Sequence, residues 1–429
     1  MAIGLDDPPA TDRRATFLVT CALLAFVVFV PHRYLAPYDN DLSGQVVVGL
    51  RYVPFLLSLL LISVVLLRAQ TWSVPRHIRV AVLIWLGLTA LSGVGSELPY
   101  QAIARDVYYS TTGIFLCFVG VEAFKERGSV GAVTLVFLSA GLGLLGIYEF
   151  VSGYHPWPGV FSRENARYLM FAPEGSFGRR VVGTIGHPVY LGSFLVLVIP
   201  LSLWTVFQTS GIRRVLSVGG AILIFAGLLL TFSRGAWLGG AVGCLVYLRH
   251  RSSKQVWAVG LALLVLLTVG LSRDGVWSTL ESRGTIGQLR RFKTDQRGIA
   301  YLQSMETLSG RPLLGVGTGL YQFAGRSVGD QDRTMDNMYL RLISEHGVAG
   351  FSAFVFLLWG VCGILRRASK LGDACENDLC RAVLGCVLGF LVDMVTCDAL
   401  YFDATRIGFW IVVGLGLASA GRVLKEDVC

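Results

Sequence analysis

Long apolar runs, separated by short polar segments, recur along the whole chain. Most approach the roughly 20 residues that a helix needs to cross the apolar part of a bilayer. Backbone polar groups in lipid must find partners within their own segment, so these runs are predicted to be membrane-spanning helices. The runs cover residues 16–30, 46–67, 78–94, 111–124, 131–151, 189–207, 215–232, 236–248, 256–271, 348–365, 382–395 and 407–420.

The pattern predicts an all-α polytopic membrane protein with about 12 transmembrane helices. The stretch between the ninth and tenth runs is too long for an ordinary connection, so it is predicted to form an ordered, functional loop. The predicted organisation is a tail at 1–15, transmembrane helices 1–9 at 16–271, a large loop with short helices that carries the active site at 272–347, transmembrane helices 10–12 at 348–420, and a second tail at 421–429.

Composition supports the same class of protein. Hydrophobic residues make up 54% of the chain and charged residues only 15%, whereas a soluble domain carries about 25% charged residues. The net charge is +9, but no basic patch with interleaved aromatic residues points to nucleic acid as a partner. The lipid bilayer is the partner that the composition predicts.

Lysine and arginine positions predict the orientation of the helices. If the N-terminus is cytoplasmic, the short loops with clustered basic residues all fall on the cytoplasmic side, as the positive-inside rule requires. Both termini are then cytoplasmic, and the 272–347 loop lies on the opposite face. The clusters are Arg13 and Arg14; Arg68, Arg76 and Arg79; Lys125 and Arg127; Arg213 and Arg214; Arg249, Arg251 and Lys254; Arg366, Arg367 and Lys370; and Arg422 and Lys425.

Three arginines are predicted to lie on the face opposite to these clusters. Arg180 precedes the sixth run, Arg234 lies in a tight turn between the seventh and eighth runs, and Arg297 begins a segment with apolar residues at helical spacing. Arg234 either snorkels to the interface or is a paired, functional cation, because an isolated charge there is costly. Arg297 lies either on a solvated face or at a binding site.

Two weaker patterns each allow more than one interpretation. Gly315, Gly317 and Gly319 indicate a tight turn, and such a turn can also bring backbone N–H groups close to an anion. Asp398 and Asp403, in the last loop, are either solvated or able to hold a cation. No cluster of residues has the spacing of a metal site.

Four segments together resemble the O-antigen ligase and O-antigen polymerase superfamily. They are "RRVVGTIGHPVYLGSFLVLVIPL", "TFSRGAWLG", "RPLLGVGTGLYQF" and "DNMYLRLISEHGVAGF", and the resemblance covers residues 180–350. It implies a C-type glycosyltransferase fold in the bacterial inner membrane with a periplasmic active site. The implied donor is a glycan on undecaprenyl diphosphate, and the implied acceptor is a sugar hydroxyl of a lipid-linked repeat unit or of lipid A core. No metal or other cofactor is implied.

The resemblance assigns roles to the three arginines. Arg234 and Arg297 match catalytic arginines of the family, and Arg180 matches a substrate-binding one, although Arg179 competes with it for that role. Transfer releases a polyprenyl diphosphate, whose developing negative charge needs stabilisation. Guanidinium groups suit phosphate oxygens, and a positioned donor of this kind supplies about 3 kcal/mol.

Asp336 stands where ligases of the family typically carry the histidine that activates the acceptor hydroxyl. An aspartate titrates near about 3.9 and a histidine near about 6.5, so aspartate is the weaker base at neutral pH. Two interpretations stay open. Asp336 replaces the histidine as the catalytic base, or it is only the N-cap of the helix that runs to Glu345.

Neighbouring residues are predicted to bind the substrate or to support the helix. Arg341 and Glu345, four residues apart, are expected to form a helix-surface pair worth roughly 0.2–0.5 kcal/mol. His346 is a displaced-base alternative. Asn337 either bonds a sugar or caps the helix, and His187, before Pro188, either starts a helix or serves the site. The residues predicted to bind substrate are Arg180, Asn337, Glu345, His187 and Tyr339.

The predicted activity is polymerisation of O-antigen or exopolysaccharide repeat units, because the ligase histidine is missing. Ligation of O-antigen onto lipid A core is the first alternative. A member of another class, an anion transporter for a bicarbonate-like ion, is the second. A transporter is expected to have paired inverted repeats and helices broken near the membrane midplane, whereas the arginines here gather at one face.

Overall fold

The structure is a computed structural model that describes residues 10–30, 42–68, 74–153, 180–256, 260, 296–321, 336–371 and 374–426. The described residues form helices joined by short turns, and they contain no strand. The helices are α1 (Ala10–Phe29), α2 (Leu42–Arg68), α3 (Arg76–Val94), α4 (Pro99–Thr111), α5 (Ile114–Phe124), α6 (Gly128–Ser152), α7 (Pro188–Val196), α8 (Ile199–Gln208), α9 (Gly211–Leu230), α10 (Arg234–Leu248), α11 (Gln296–Gly310), α12 (Met338–Ala368), α13 (Ala374–Asp393) and α14 (Asp403–Glu426). A 3₁₀ turn, Ala399–Tyr401, precedes α14.

Eleven of the twelve predicted runs fall on these helices, and the ninth run, 256–271, lies almost entirely outside the described residues. Within the described part, 7 helical segments are long and apolar enough to cross a membrane. The protein is therefore an all-helical, membrane-type chain. The total of twelve spans, the domain boundaries and the extent of the 272–347 loop stay predictions.

Two predicted runs differ from single isolated helices. The fourth run lies mainly on α5, and a kink at Gly113, where ψ is −109°, joins it to a preceding helix, α4, that the run does not include. The sixth run is divided between α7 and α8 at Leu197 and Val198, just before Pro200. Proline fits the first turn of a helix, but further along it lacks the N–H group that the helical hydrogen bond needs. Pro200 therefore lies in the first turn of a new helix, α8.

Small residues let α10 and α13 pack with their backbones close together. A Cβ added at Gly243 would lie 2.9 Å from the carbonyl oxygen of Gly385, and one added at Gly239 would lie 2.5 Å from that of Gly389. Glycine pairs of this kind are typical of helices that pack in membranes. The contact fixes α13 beside α10 along most of its length.

The bundle has two distinct polar ends, which we name after one aspartate each. At the Asp378 end, Arg251 forms an ion pair with Asp378, which also accepts a hydrogen bond from Gln208. Arg422 donates to the carbonyls of Phe124 and Lys125 and pairs with Glu376. Three of the predicted cytoplasmic basic clusters therefore lie at one end. The Asp398 end lies beyond the other end of α13.

Candidate functional site

The segment 394–402, between α13 and α14, is the meeting point of the elements that carry the predicted site residues. The backbone N–H of Met338, in the first turn of α12, donates to the carbonyl of Met394 at 2.9 Å. Gly235, in the first turn of α10, packs so closely on Thr396 that a Cβ would overlap its hydroxyl. The starts of α10 and α12 therefore both lie against this short segment.

Helix α7 reaches the same segment. The hydroxyl of Ser193 lies 3.2 Å from the thiol of Cys397, and the hydroxyl of Tyr190 donates to Asp398 Oδ1. The ring of Tyr190 also stacks on Phe402, with centroids 3.4 Å apart. Residues distant in sequence thus come together around 394–402.

Arg234 lies at a strained turn. Helix α9 ends at Leu230 and α10 begins at Arg234, as the sequence predicted. Between them Phe232 adopts a φ of +49°, a conformation that is costly for a bulky residue. The Ser233 side chain makes no capping hydrogen bond, so the first amides of α10 contribute positive potential beside the exposed Arg234.

Arg180 lies at the same turn. Its Nε donates to the carbonyl of Thr231 at 2.8 Å, and the next residue, Val181, donates its N–H to the carbonyl of Leu230 at 3.2 Å. Arg180 is half-buried. The structure therefore brings Arg180 and Arg234 to one turn, although 53 residues separate them in sequence.

His187 is the N-cap of α7. Its Nδ1 accepts a hydrogen bond from the N–H of Val189 at 3.3 Å, and its ring lies 4.9 Å from that of Tyr190. Burial, assisted by the positive charge of Arg180, lowers the pKa of His187 from 6.5 to about 3. The imidazole is therefore neutral at physiological pH, as an acceptor at an N-cap must be. Of its two predicted roles, the structure places it in the helix-starting one.

Asn337, and not Asp336, caps α12. Its Oδ1 accepts hydrogen bonds from the N–H groups of Tyr339 at 3.0 Å and Leu340 at 3.1 Å. The interpretation of Asp336 as the N-cap is therefore wrong. Asp336 is half-buried and lies one residue before the cap.

Tyr339, predicted to bind substrate, uses its hydroxyl inside the protein. The hydroxyl donates to the carbonyl of Leu391, in the last turn of α13, at 2.6 Å. Together with the bond from Met338 to Met394, it fixes the first turn of α12 to the end of α13.

Arg341 and Glu345 form a pair, but the expectation of a surface pair is wrong. Arg341 is only 1% exposed and Glu345 only 3%. Nε of Arg341 lies 3.0 Å from Glu345 Oε1, and Nη1 lies 2.7 Å from Asp398 Oδ2. The guanidinium carbon lies 3.5 Å from the centroid of the Tyr401 ring. Asp398, expected to be solvated, is thus a buried partner of Arg341, 57 residues away.

The three glycines make the predicted turn, and their N–H groups find partners within the protein: Gly315 donates to the carbonyl of Arg311, Gly317 to the carbonyl of Glu345, and Gly319 to the carboxylate of Glu345. Gly315, Gly317 and Gly319 all have positive φ, at 70°, 102° and 71°. The N–H of Val316 donates to the carbonyl of Ser344 at 3.0 Å, and that of Gly317 to the carbonyl of Glu345 at 2.9 Å. The turn is used to support α12.

Arg297 lies in the first turn of α11, which confirms the predicted helical spacing, and the helix ends at Gly310. The side chain of Arg297 is outside the described residues, so its distance from Arg234 stays untested. Leu302 and Met305, on the predicted apolar stripe, are 57% and 39% exposed. The displaced-base alternative, His346, is buried with its ring 6.4 Å from that of Trp85 on α3.

Sequence reasoning missed the residues that join these elements. Arg341, Asp398 and Tyr190 form one connected group, and only the close spacing of Arg341 and Glu345 pointed to any part of it. Within the described residues there is no group of three or more His, Cys, Asp or Glu side chains arranged to hold a metal ion.

Part of the chain matches a known protein family. Residues 219–355 match the family described as O-antigen ligase, which covers about a third of the 429 residues. The matched range includes Arg234, Arg297 and Asp336 and leaves out Arg180 and Asp398. No curated protein matches the chain.

Proposed function

We propose that this chain is a member of the O-antigen ligase and polymerase superfamily, since residues 219–355 match the family described as O-antigen ligase, and that it transfers a glycan from undecaprenyl diphosphate to a sugar hydroxyl. The reaction takes place at the periplasmic face of a bacterial inner membrane. The product is a lengthened O-antigen or exopolysaccharide chain.

One observation carries the proposal: two arginines from distant parts of the sequence meet at the turn that begins α10. Arg180 is bonded to the carbonyl of Thr231, three residues before Arg234. Two guanidinium groups beside the start of a helix without a side-chain cap give a positively charged site suited to a diphosphate. Such donors act on the charge that develops in the transition state, where each contributes about 3 kcal/mol.

The acceptor side of the site is supplied by the start of α12. Both α10 and α12 begin against the 394–402 segment. Asp336 is two residues before Met338, which contacts the segment, and Arg234 is next to Gly235, which also contacts it. In the proposed reaction the acceptor oxygen attacks the anomeric carbon of the donor, and the bond from that carbon to the diphosphate oxygen breaks. The hydroxyl proton passes to the carboxylate of Asp336, and undecaprenyl diphosphate leaves.

Polymerisation is the first choice of reaction, because Asp336 stands in place of the ligase histidine. Ligation onto lipid A core is the second, because the matched family is described as O-antigen ligase. The two reactions share the donor and the arginines and differ only in the acceptor.

The proposal is tested with purified protein in lipid nanodiscs. An undecaprenyl-diphosphate-linked repeat unit is supplied alone or together with lipid A core, and both released undecaprenyl diphosphate and product length are measured. Polymerisation gives a ladder from the repeat unit alone, and ligation needs lipid A core. Arg234→Ala is expected to lower turnover on the order of 10²-fold.

Arg213→Ala is the matched control, because Arg213 is also an exposed arginine in the first turn of a helix, α9. It is expected to keep wild-type turnover. If the wild type releases no undecaprenyl diphosphate with either acceptor, and liposomes that contain it conduct bicarbonate, the transporter alternative replaces this proposal.

A further inference from the structure

Burial of the charged Arg341 side chain has a high desolvation free energy. Arg341 is 1% exposed, and its charge is balanced by Glu345 on the same helix and by Asp398 on the 394–402 segment. Nη2 has no hydrogen-bond partner within the described part of the chain. A buried ion pair contributes little net stability compared with well-packed apolar side chains. Its presence therefore calls for a reason beyond stability.

Asp398 connects α12, whose start is preceded by Asp336, to α7, which follows the segment that contains Arg180. Its Oδ2 accepts from Arg341 on α12 at 2.7 Å, and its Oδ1 accepts from the hydroxyl of Tyr190 on α7. Asp336 lies five residues before Arg341. On the other side, the ring of Tyr190 contacts that of His187, and the charge of Arg180 interacts electrostatically with His187.

The connection is rigid at each step. Asp398 is buried, and the Tyr190 ring is held between Phe402 and His187. Arg341 is enclosed by Glu345 and the Tyr401 ring. A rigid chain of this kind can hold two reacting groups in register, and misplacement of about 1 Å can cost about 10²-fold in rate.

We propose that Asp398 is a positioning residue, which together with Tyr190 and Arg341 sets the position of the acceptor-activating start of α12 relative to the two diphosphate-binding arginines, Arg180 and Arg234. This inference rests on the proposed function. It assigns to Asp398 no contact with the substrate.

The Asp378 end offers a matched control, because it repeats the same arrangement. Asp378 Oδ2 accepts from Arg251 and, at 3.0 Å, from the hydroxyl of Tyr247, and both Asp378 and Tyr247 are buried. Asp378 lies fifteen helical positions before the last residue of α13, which places it roughly 22 Å further along the helix axis. The effect of losing the Tyr190–Asp398–Arg341 contact, near the proposed active site, can thus be compared with the effect of losing the Tyr247–Asp378–Arg251 contact, far from it.

The experiment measures kcat and KM for the lipid-linked donor in Tyr190→Phe, Asp398→Asn and the double variant, beside Tyr247→Phe and Asp378→Asn. Thermal unfolding in detergent is recorded for all five. Tyr190→Phe keeps the stacked ring and removes only the hydroxyl, so it keeps the test usable if Asp398→Asn folds poorly.

A positioning role predicts that Tyr190→Phe and Asp398→Asn lower kcat about 10- to 100-fold with KM unchanged. The double variant is expected to lose no more than Asp398→Asn alone, because the two side chains act through one contact. Tyr247→Phe and Asp378→Asn are expected to keep the wild-type kcat even where they lower the unfolding temperature.

Two results overturn the proposal. One is a wild-type kcat in Tyr190→Phe and Asp398→Asn, and the other is an equal fall in kcat in the two control variants, which would reveal a merely structural contribution. Both require that the wild type transfers glycan. A wild type without transfer would overturn the proposed function and the positioning role together, so the two failures are distinguishable.

Discussion

The division of work between Asp336 and Asn337 shows how two adjacent polar residues differ in function. Asn337 satisfies the first free N–H groups of α12, which leaves the Asp336 carboxylate outside that role. The Asp336 carboxylate thus lies beside the start of α12 without capping it, a position that fits the role of base in the proposed reaction.

We therefore predict opposite effects of changing the two residues. Asn337→Ala should lower the free energy of unfolding by about 1 kcal/mol through loss of the cap. Asp336→Asn should lower turnover by about 10²-fold or more through loss of the base. Asp336→His should retain turnover. Wild-type turnover in Asp336→Asn would show that another group takes the proton.

His187 gives the protein a pH dependence with a defined sign. The fold favours the neutral imidazole, so protonation favours the unfolded chain. The contribution of His187 to stability is full above pH 6.5 and declines as the pH falls toward about 3. Asn keeps a capping oxygen but does not titrate, so His187→Asn should reduce the fall in unfolding temperature across that window.

His77→Asn is the control for this prediction, since His77 is an exposed histidine in the first turn of α3. It should leave the acid profile of unfolding as in the wild type. An unchanged profile in His187→Asn as well would contradict the burial-driven pKa of His187.

At the scale of elements, α12 is bent where its polar first part meets its apolar second part. Gly347 has a φ of 64°, and the backbone N–H groups of Val348 and Ala349 donate to the carbonyls of Pro312 and Leu313. Gly315, also at positive φ, packs against the carbonyl of Glu345. The bend and the glycine turn therefore form one interlocked unit.

Gly347→Ala should destabilise the protein by more than about 1 kcal/mol, because alanine tolerates this φ poorly and its Cβ would overlap the backbone of Leu313. Gly363→Ala, on the same helix but with open space around it, should be neutral or stabilising by up to about 1 kcal/mol. Thermal unfolding of the two variants in one detergent compares them directly. Equal unfolding temperatures would contradict the interlocked arrangement.

The membrane-type helices were the part of the fold that the sequence could predict, because the length of an apolar run can be read from the local sequence alone. The break before Pro200 was missed, since it interrupts a run that stays apolar throughout. Helix α4, which ends just before the kink at Gly113, was missed because its residues are only in part apolar. Burial of Arg341 was also missed. Its spacing from Glu345 fits a surface pair equally well, and the partner that makes burial possible, Asp398, is 57 residues away.

The candidate site was predictable only in its separate parts. Arg180, Arg234 and Asp336 were chosen from local motifs and from a family resemblance, but the starts of α10 and α12 pack against the 394–402 segment, which carried no recognised motif. Long-range contacts such as Arg180 to Thr231 follow from packing of whole helices, and a single sequence does not record that packing.

At the scale of the whole molecule, the separation of the two polar ends predicts a labelling pattern. Cys375 is exposed at the start of α13, beside Glu376 and Asp378. If this end is cytoplasmic, a membrane-impermeant maleimide should not label Cys375 in intact cells but should label it in inside-out vesicles.

Ser309→Cys, exposed near the end of α11, should show the reverse pattern, and Cys375→Ser identifies background from other thiols. Labelling of Cys375 in intact cells would place the proposed active site on the wrong side for a periplasmic transferase.

A Tyr–Asp–Arg contact lies near each end of α13, so if this helix crosses the membrane as the sequence predicts, the distance between the two polar ends of the protein is fixed. A bilayer whose acyl chains are too short or too long must deform around such a protein, at a cost of fractions of a kcal/mol per Å. Lipid thickness would then act on catalysis from a distance, and glycan chain growth would respond to the acyl composition of the membrane that surrounds the protein.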